Sequence, residues 1–323
     1  MTAGPRWSSF VLLVAASGFA GAPLAAQEGE GTVQPPDVFR RVAQLRTEVE
    51  QLRQEMGKPV GQFQLQVRSA APREVYFQAL TLFRKADRLA FEHTGQRVAV
   101  PPPPTGTPQP RDVLAVVAKA ERQLRQVKEK LAVQEPAAPP ARDPTKTPTD
   151  VFRAIVEANH QLNLMLDYPF APSDVFQQVQ RAGGLASRLA ERWEDADFPR
   201  QWPAFQRGQR PADVYRQLLA CLARIRAIFE KSGLPILEIE VADEAIDRAT
   251  PSDVYDLASV LVSELAYLDQ LQPAAEPPPP VFYPGRKFPS HVHQAARLLE
   301  QQLSWLERRV AGEPDWLQRK AAP

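Results

Sequence analysis

Apolar residues recur along this chain in one register, eight times over. Counted from a valine, they fall at +4, +7, +11 and +14, the alternating spacing of an a/d stripe on one helix face. The first copy reads Val38, Val42, Leu45, Val49 and Leu52. The sixth reads Val214, Leu218, Cys221, Ile225 and Ile228, and the last Val292, Ala296, Leu299, Leu303 and Leu306. The second copy is thinner on the stripe, with Ala79 and Ala86, but adds Phe77, Leu80 and Phe83. The pattern predicts eight amphipathic helices of about 21 residues, each roughly 32 Å long.

A short motif opens every copy: proline, any residue, an acid, valine, and usually an aromatic. Pro35, Pro72, Pro110, Pro148, Pro172, Pro211, Pro251 and Pro289 begin the eight copies. Proline suits the first helical position, where its missing N–H is no loss. The acids Asp37, Glu74, Asp112, Asp150, Asp174, Asp213 and Asp253 then fall at N3, where a carboxylate accepts from free N–H groups and complements the helix dipole. They read as structural caps, not catalytic groups. Thr147 and Thr250 complete capping boxes. The last copy carries His291 and His293 in place of acid and aromatic. Residues two apart on a helix do not share a face, so this pair reads as drift in a terminal copy, not a metal site. Gly57, Gly95, Gly233 and Gly312 stand where a helix takes its terminating glycine.

The motif prolines are spaced 37, 38, 38, 24, 39, 40 and 38 residues apart. The one short interval divides the chain four and four. An all-α fold is expected, with two tandem four-helix bundles at 33–170 and 171–312 and a tail at 313–323. On that division Val151→Asp should unfold the first domain alone. The connections within each half are about 14 to 18 residues, where bundle loops are usually 2 to 8. Some are proline runs, such as Pro101–Pro104 and Pro277–Pro280, which favour extended polyproline II. Others alternate like strands, over 62–67 and 236–241. Fourteen extended residues reach roughly 45 Å, longer than a helix. The connections therefore permit either parallel helices with every motif at one end, or an up-and-down bundle; the sequence leaves both open.

Composition changes the picture in three ways. Lys plus Arg is 39 and Asp plus Glu 38, a balance that argues against a general binder of nucleic acid or anionic membrane. One Cys excludes an internal disulfide framework; Cys221 lies on the stripe and reads as a small buried hydrophobe. The 33 prolines, about twice average usage, avoid all eight stripes from Val to +14 and so punctuate a helical protein.

Residues 1–26 read as a secretory signal peptide, with Arg6 ahead of an apolar stretch from Phe10 to Ala20 and small residues near Ala26. The expected location is therefore periplasmic or extracellular. No nucleotide-binding, nucleophile-elbow or metalloprotease motif is present, and no cofactor is implied. Asp243, Glu244 and Asp247 read as a solvated helical turn. Gly183-Gly184, inside the fifth helix, suggests close approach of a neighbour. The aromatics Phe39, Tyr76, Phe152, Phe176, Tyr215 and Tyr255 read first as packing positions and second as a partner-binding surface at the helix starts. Trp193 and Trp202, around 194–198, read first as core filling and second as a ligand rim. The favoured function is a non-catalytic, exported helical repeat protein that binds a protein partner or scaffolds the cell envelope. A small-molecule sensory module is the alternative, hinted at by Asn159 and His160. An enzyme with an unrecognised site ranks last.

Overall fold

The computed structural model describes Met1 and residues 32–61, 65–102, 104, 106–193, 197–272, 282, 285–313 and 315–317. The signal-peptide reading, the Pro277–Pro280 run and most of the C-terminal segment lie outside those residues. The fold is mostly helical, and residues 33–323 form one compact unit.

Eight long helices each begin at a motif proline: α1 Pro35–Glu55, α2 Pro72–Thr94, α3 Pro110–Lys130, α4 Pro148–Met165, α5 Pro172–Ala190, α6 Pro211–Lys231, α8 Pro251–Gln270 and α9 Pro289–Gly312. Helix α7 is the short turn Asp243–Asp247. All stripe positions, five in each long helix, are at most 2% exposed. Gly57, Gly95 and Gly233 take positive φ after their helices, whereas Gly312 is simply the last residue of α9.

Helix α1 packs on α3 and α4, and α2 packs on the same two; α5 and α6 likewise each pack on α8 and α9. Helices α1 and α2 thus face each other across a diagonal, as do α3 and α4, α5 and α6, and α8 and α9, while α2 and α3, and α6 and α8, are packed neighbours. Side-chain sizes match that plan in the second set. At +4, Val179 and Leu218 of α5 and α6 oppose Ala258 and Ala296 of α8 and α9; at +7, Ala182 and Cys221 oppose Leu261 and Leu299. Large residues on one diagonal with small ones on the other let each layer fill without strain.

The four helices of each set run parallel. Pro35, Pro72, Pro110 and Pro148 converge with Val38, Val75, Val113 and Val151 around one apolar dimple. The second set forms the same dimple from Pro172, Pro211, Pro251 and Pro289 with their valines. Side-chain pairs climb in step between α6 and α9: Gln217 Nε2 donates to Glu300 (2.8 Å), Arg224 pairs with Glu307 (3.2 Å), and Lys231 pairs with Glu307 (2.7 Å). Arg41 of α1 meets Glu121 of α3 at 2.5 Å with the same offset.

Parallel packing requires each connection to return the length of a helix, and the hydrogen bonds trace that return. After α3 the chain accepts from Gln44 at Ala137 O and from Arg40 at Pro140 O (both 2.9 Å), then places Arg142 on Asp37 (2.5 Å). After α5, Gln302 donates to Pro199 O (3.0 Å) and Gln294 to Pro203 O (2.7 Å), and Gln209 N–H reaches Ser290 (3.2 Å). After α1, Gln161 donates to Gly61 O at 3.1 Å, and Ala70 N–H donates to Thr149 at 3.1 Å. The alternating segments form two strands, β1 Leu65–Arg68 and β2 Glu238–Val241, paired antiparallel with Leu65 opposite Val241.

The glycine expectation is corrected. A Cβ at Gly184 would meet nothing within 4 Å, and one at Gly183 only ordinary contact with Gln302. The close approach is at Gly61 instead, where a Cβ would lie 2.4 Å from both His160 and Leu164. Gly184→Ala should therefore stabilise the protein by about 1 kcal/mol through reduced unfolded-state entropy, read as a higher urea midpoint. The segment following α9 is partly core: Trp316 is buried, donates to Ser232 Oγ at 2.8 Å and stacks on Trp193 (5.7 Å). Trp305 and Phe198 complete that cluster.

Candidate functional site

The seven motif acids share one job. Asp37, Glu74, Asp112, Asp150, Asp174, Asp213 and Asp253 each accept the backbone N–H three residues earlier, at 2.7–2.9 Å. Thr147 and Thr250 return the bond to the N3 amide, closing the box. In the last copy His291 Nδ1 accepts from Phe288 N–H at 3.1 Å. The imidazole replaces the carboxylate as acceptor but brings no negative charge to the helix start. His291→Asp should therefore raise stability by about 0.5–1 kcal/mol, measurable as a higher thermal midpoint at neutral pH.

The motif aromatics sit in the packing. Tyr76, Phe152, Phe176, Tyr215 and Tyr255 are buried, and Phe39 is half-buried beneath Lys146. Returning connections cover the flank on which these rings lie, so five of the six are inaccessible to a partner in this conformation. Tyr255 OH accepts from Gln178 at 2.6 Å, and its ring lies 4.2 Å from that of Phe170, in the α4–α5 joint.

A buried polar cluster joins the two helix sets where α2 crosses α8. The two helices are antiparallel there: Arg73, at the start of α2, reaches Glu264, while Lys85, about half a turn past its middle, reaches Asp256 near the start of α8. Arg73 donates to Pro235 O (2.7 Å), pairs with Glu74 (2.8 Å) and Glu264 (3.3 Å), and lies 4.3 Å from the Tyr267 ring centroid. Lys85 Nζ donates to both Asp256 oxygens at 2.7 Å and to Asn159 O at 3.4 Å. Asn159 Nδ2 donates to Gln78 O and Oε1 (both 3.3 Å), and Gln78 donates to Asp256 O (3.2 Å). His160 Nδ1 stands 3.8 Å from Asp253. Asn159 and His160 thus face the other helix set, not a ligand chamber.

Burial sets the charge chemistry of this joint. It pushes the Asp256 carboxyl up to about 6, against the pull of Lys85, and pushes the Lys85 ammonium down. Burial, then repulsion from Glu74, raises Glu264 well above the ordinary range; burial also raises Glu74. Between α1 and α3, burial followed by repulsion from Glu121 lifts Glu48 to about 7. For the four carboxyls, Asp256, Glu264, Glu74 and Glu48, the folded state holds protons that the unfolded chain has released. Stability from these groups is fully present below about pH 4 and is lost as pH rises through the raised values. Each retained proton contributes a slope of at most about 1.4 kcal/mol per pH unit. The protein should unfold at higher urea at pH 5 than at pH 8, and Glu264→Gln should flatten that difference.

Lys85 and Glu264 are 0% exposed, so no substrate reaches them in this conformation; the arrangement binds α8 to α2. Sequence reasoning missed Arg73, Gln78, Lys85, Asp256 and Glu264. A signal was present in α8, which is apolar nearly all round, as a helix buried on both faces is, whereas the charged residues of α2 gave no such sign. An open groove lies between α1 and α4, lined by Arg46, Thr47, Glu50, Gly61, Glu157 and Gln161. Among the described residues no group of three His, Cys, Asp or Glu is arranged to hold a metal. Cys221 is buried, and burial raises its thiol. No helix of the described residues is long and apolar enough to cross a membrane. No family model, curated protein or solved structure matches this chain.

Proposed function

We propose that the chain is a non-catalytic, exported helical repeat protein, built as two tandem four-helix bundles at 33–170 and 171–312, that binds a protein partner or scaffolds an assembly of the cell envelope. The observation that carries this reading is the closed interior: every stripe residue is at most 2% exposed, which favours a rigid support over a ligand chamber. Extended connections laid along the helices add stiffness and a broad polar outer surface. Export rests on the N-terminal segment, whose positive start and short apolar run suit a cleaved signal.

The test is affinity capture of the tagged protein from envelope extracts after cross-linking. A partner recovered at fixed stoichiometry, and lost when groove residues Arg46 and Glu157 are both replaced by alanine, is the expected result. Recovery of no specific protein contradicts the reading. A small-molecule sensory module rests on that same groove; capture lost to a dialysable metabolite, not to the substitutions, supports it instead.

A further inference from the structure

We propose that the N-terminal end of the second helix set docks on an anionic lipid surface. Three large rings are exposed there: Trp202 (50%), Phe205 (44%) and Phe288 (51%). They belong to one continuous patch drawn from three chain segments. Trp202 stacks parallel over Phe176 at 6.3 Å, and Lys287 Nζ lies 5.0 Å from that same Phe176 ring. Arg286 lies 5.3 Å from the Phe288 centroid; Phe288 and Phe205 flank His291 at 5.8 and 5.1 Å. Backbone bonds fix the segments together, Lys287 N–H to Ser173 Oγ at 2.9 Å and Gln209 N–H to Ser290 Oγ at 3.2 Å.

The charge around the rings is one-sided. Among the described residues no carboxylate lies within 4 Å of Arg207, Arg286, Lys287 or Arg297. Of the carboxylates at this end, Asp174, Asp213 and Asp253 already accept helix-start N–H groups, Asp174 also faces Arg88, and Asp247 pairs with Arg216. The chain as a whole is nearly neutral, so this is a local concentration of positive charge. Exposed aromatic rings interleaved with unpaired cations are the features that hold a protein at a lipid interface: rings enter the headgroup boundary while cations meet the phosphates. A loop-borne patch of this kind demands no directional partner, which favours a lipid surface over an acidic polypeptide. The inference does not depend on the protein-partner reading above, since that reading concerns the α1/α4 groove.

The test uses the full chain with Trp7→Phe, so that the N-terminal segment gives no tryptophan signal. Vesicles of phosphatidylcholine with 30% phosphatidylglycerol are compared with pure phosphatidylcholine at low salt. Expected are at least tenfold greater binding to the anionic vesicles, a blue shift, and quenching by brominated lipid that disappears in Trp202→Phe. Arg286→Glu with Lys287→Glu should abolish the preference while the thermal midpoint stays unchanged. The proposal is overturned if Trp202 stays unquenched on bound protein, if the charge reversal leaves binding intact, or if soluble polyglutamate binds the patch while vesicles do not.

Discussion

Replacing Lys85 by methionine should cost roughly 3–5 kcal/mol of stability at pH 8, the penalty for leaving one partner of a buried ion pair behind. Lys85 is 0% exposed, and its ammonium is the group that both Asp256 oxygens accept from. Without it the Asp256 carboxylate keeps only the weaker pull of His160 against burial and the repulsion of Asp253. Its carboxyl, already up to about 6, rises further, so the loss should shrink towards pH 5, where the acid is neutral. The double variant Lys85→Met, Asp256→Leu removes both charges and should recover most of the stability. Urea melts of the three variants at pH 5 and pH 8 check this. A Lys85→Met loss under 1 kcal/mol at pH 8 would show the pair to be dispensable.

Val151→Asp should unfold the whole of residues 33–323 in one transition, with a loss of more than about 4 kcal/mol. Val151 is 1% exposed and packs with Val38, Val75 and Val113, so an aspartate carboxylate there meets an apolar lining with no side-chain donor to satisfy it. The sequence alone suggests that the second half survives this change. The joint alters that expectation. If α2 unfolds, Glu264 and Asp256 of α8 lose Arg73 and Lys85, and buried Phe170 and Tyr255 lose the surface beneath Arg88. Trp fluorescence from the Trp193–Trp305–Trp316 cluster reports the second half, and far-UV circular dichroism the helices of both halves. Coincident curves are expected; an intact second-half signal above the first transition would restore two independent domains.

Much of the architecture was legible because it is written in local chemistry. Proline at N1 and an acid at N3 define a helix start without reference to anything distant, and the 3.6-residue period defines the face it buries. The strands at 65–68 and 238–241 were legible from alternation alone. The direction of neighbouring helices was not, because a long connection permits two topologies, and only the return bonds from Gln44, Gln161 and Gln302 select one. The joint was also hidden. Lys85 and Glu264 are charged residues that sequence habit assigns to solvent, and their burial follows from the crossing of α2 and α8, which no local spacing encodes. For the motif aromatics the sequence offered packing first and a surface second, and the returning chain covers five of the six rings. The exposed rings, Trp202, Phe205 and Phe288, lie in the connections, where no period marks them.

The parallel arrangement is the claim on which the rest stands, and a distance between spin labels at Arg40 of α1 and Arg153 of α4 tests it. Both residues sit two positions after their motif valine and are exposed. In a Cys221→Ala background, double electron–electron resonance should give a main distance below about 25 Å, set by neighbouring axes 8–10 Å apart plus the label arms. An up-and-down bundle places those positions at opposite ends of helices roughly 30 Å long, and a main distance of about 30 Å or more would contradict the parallel fold.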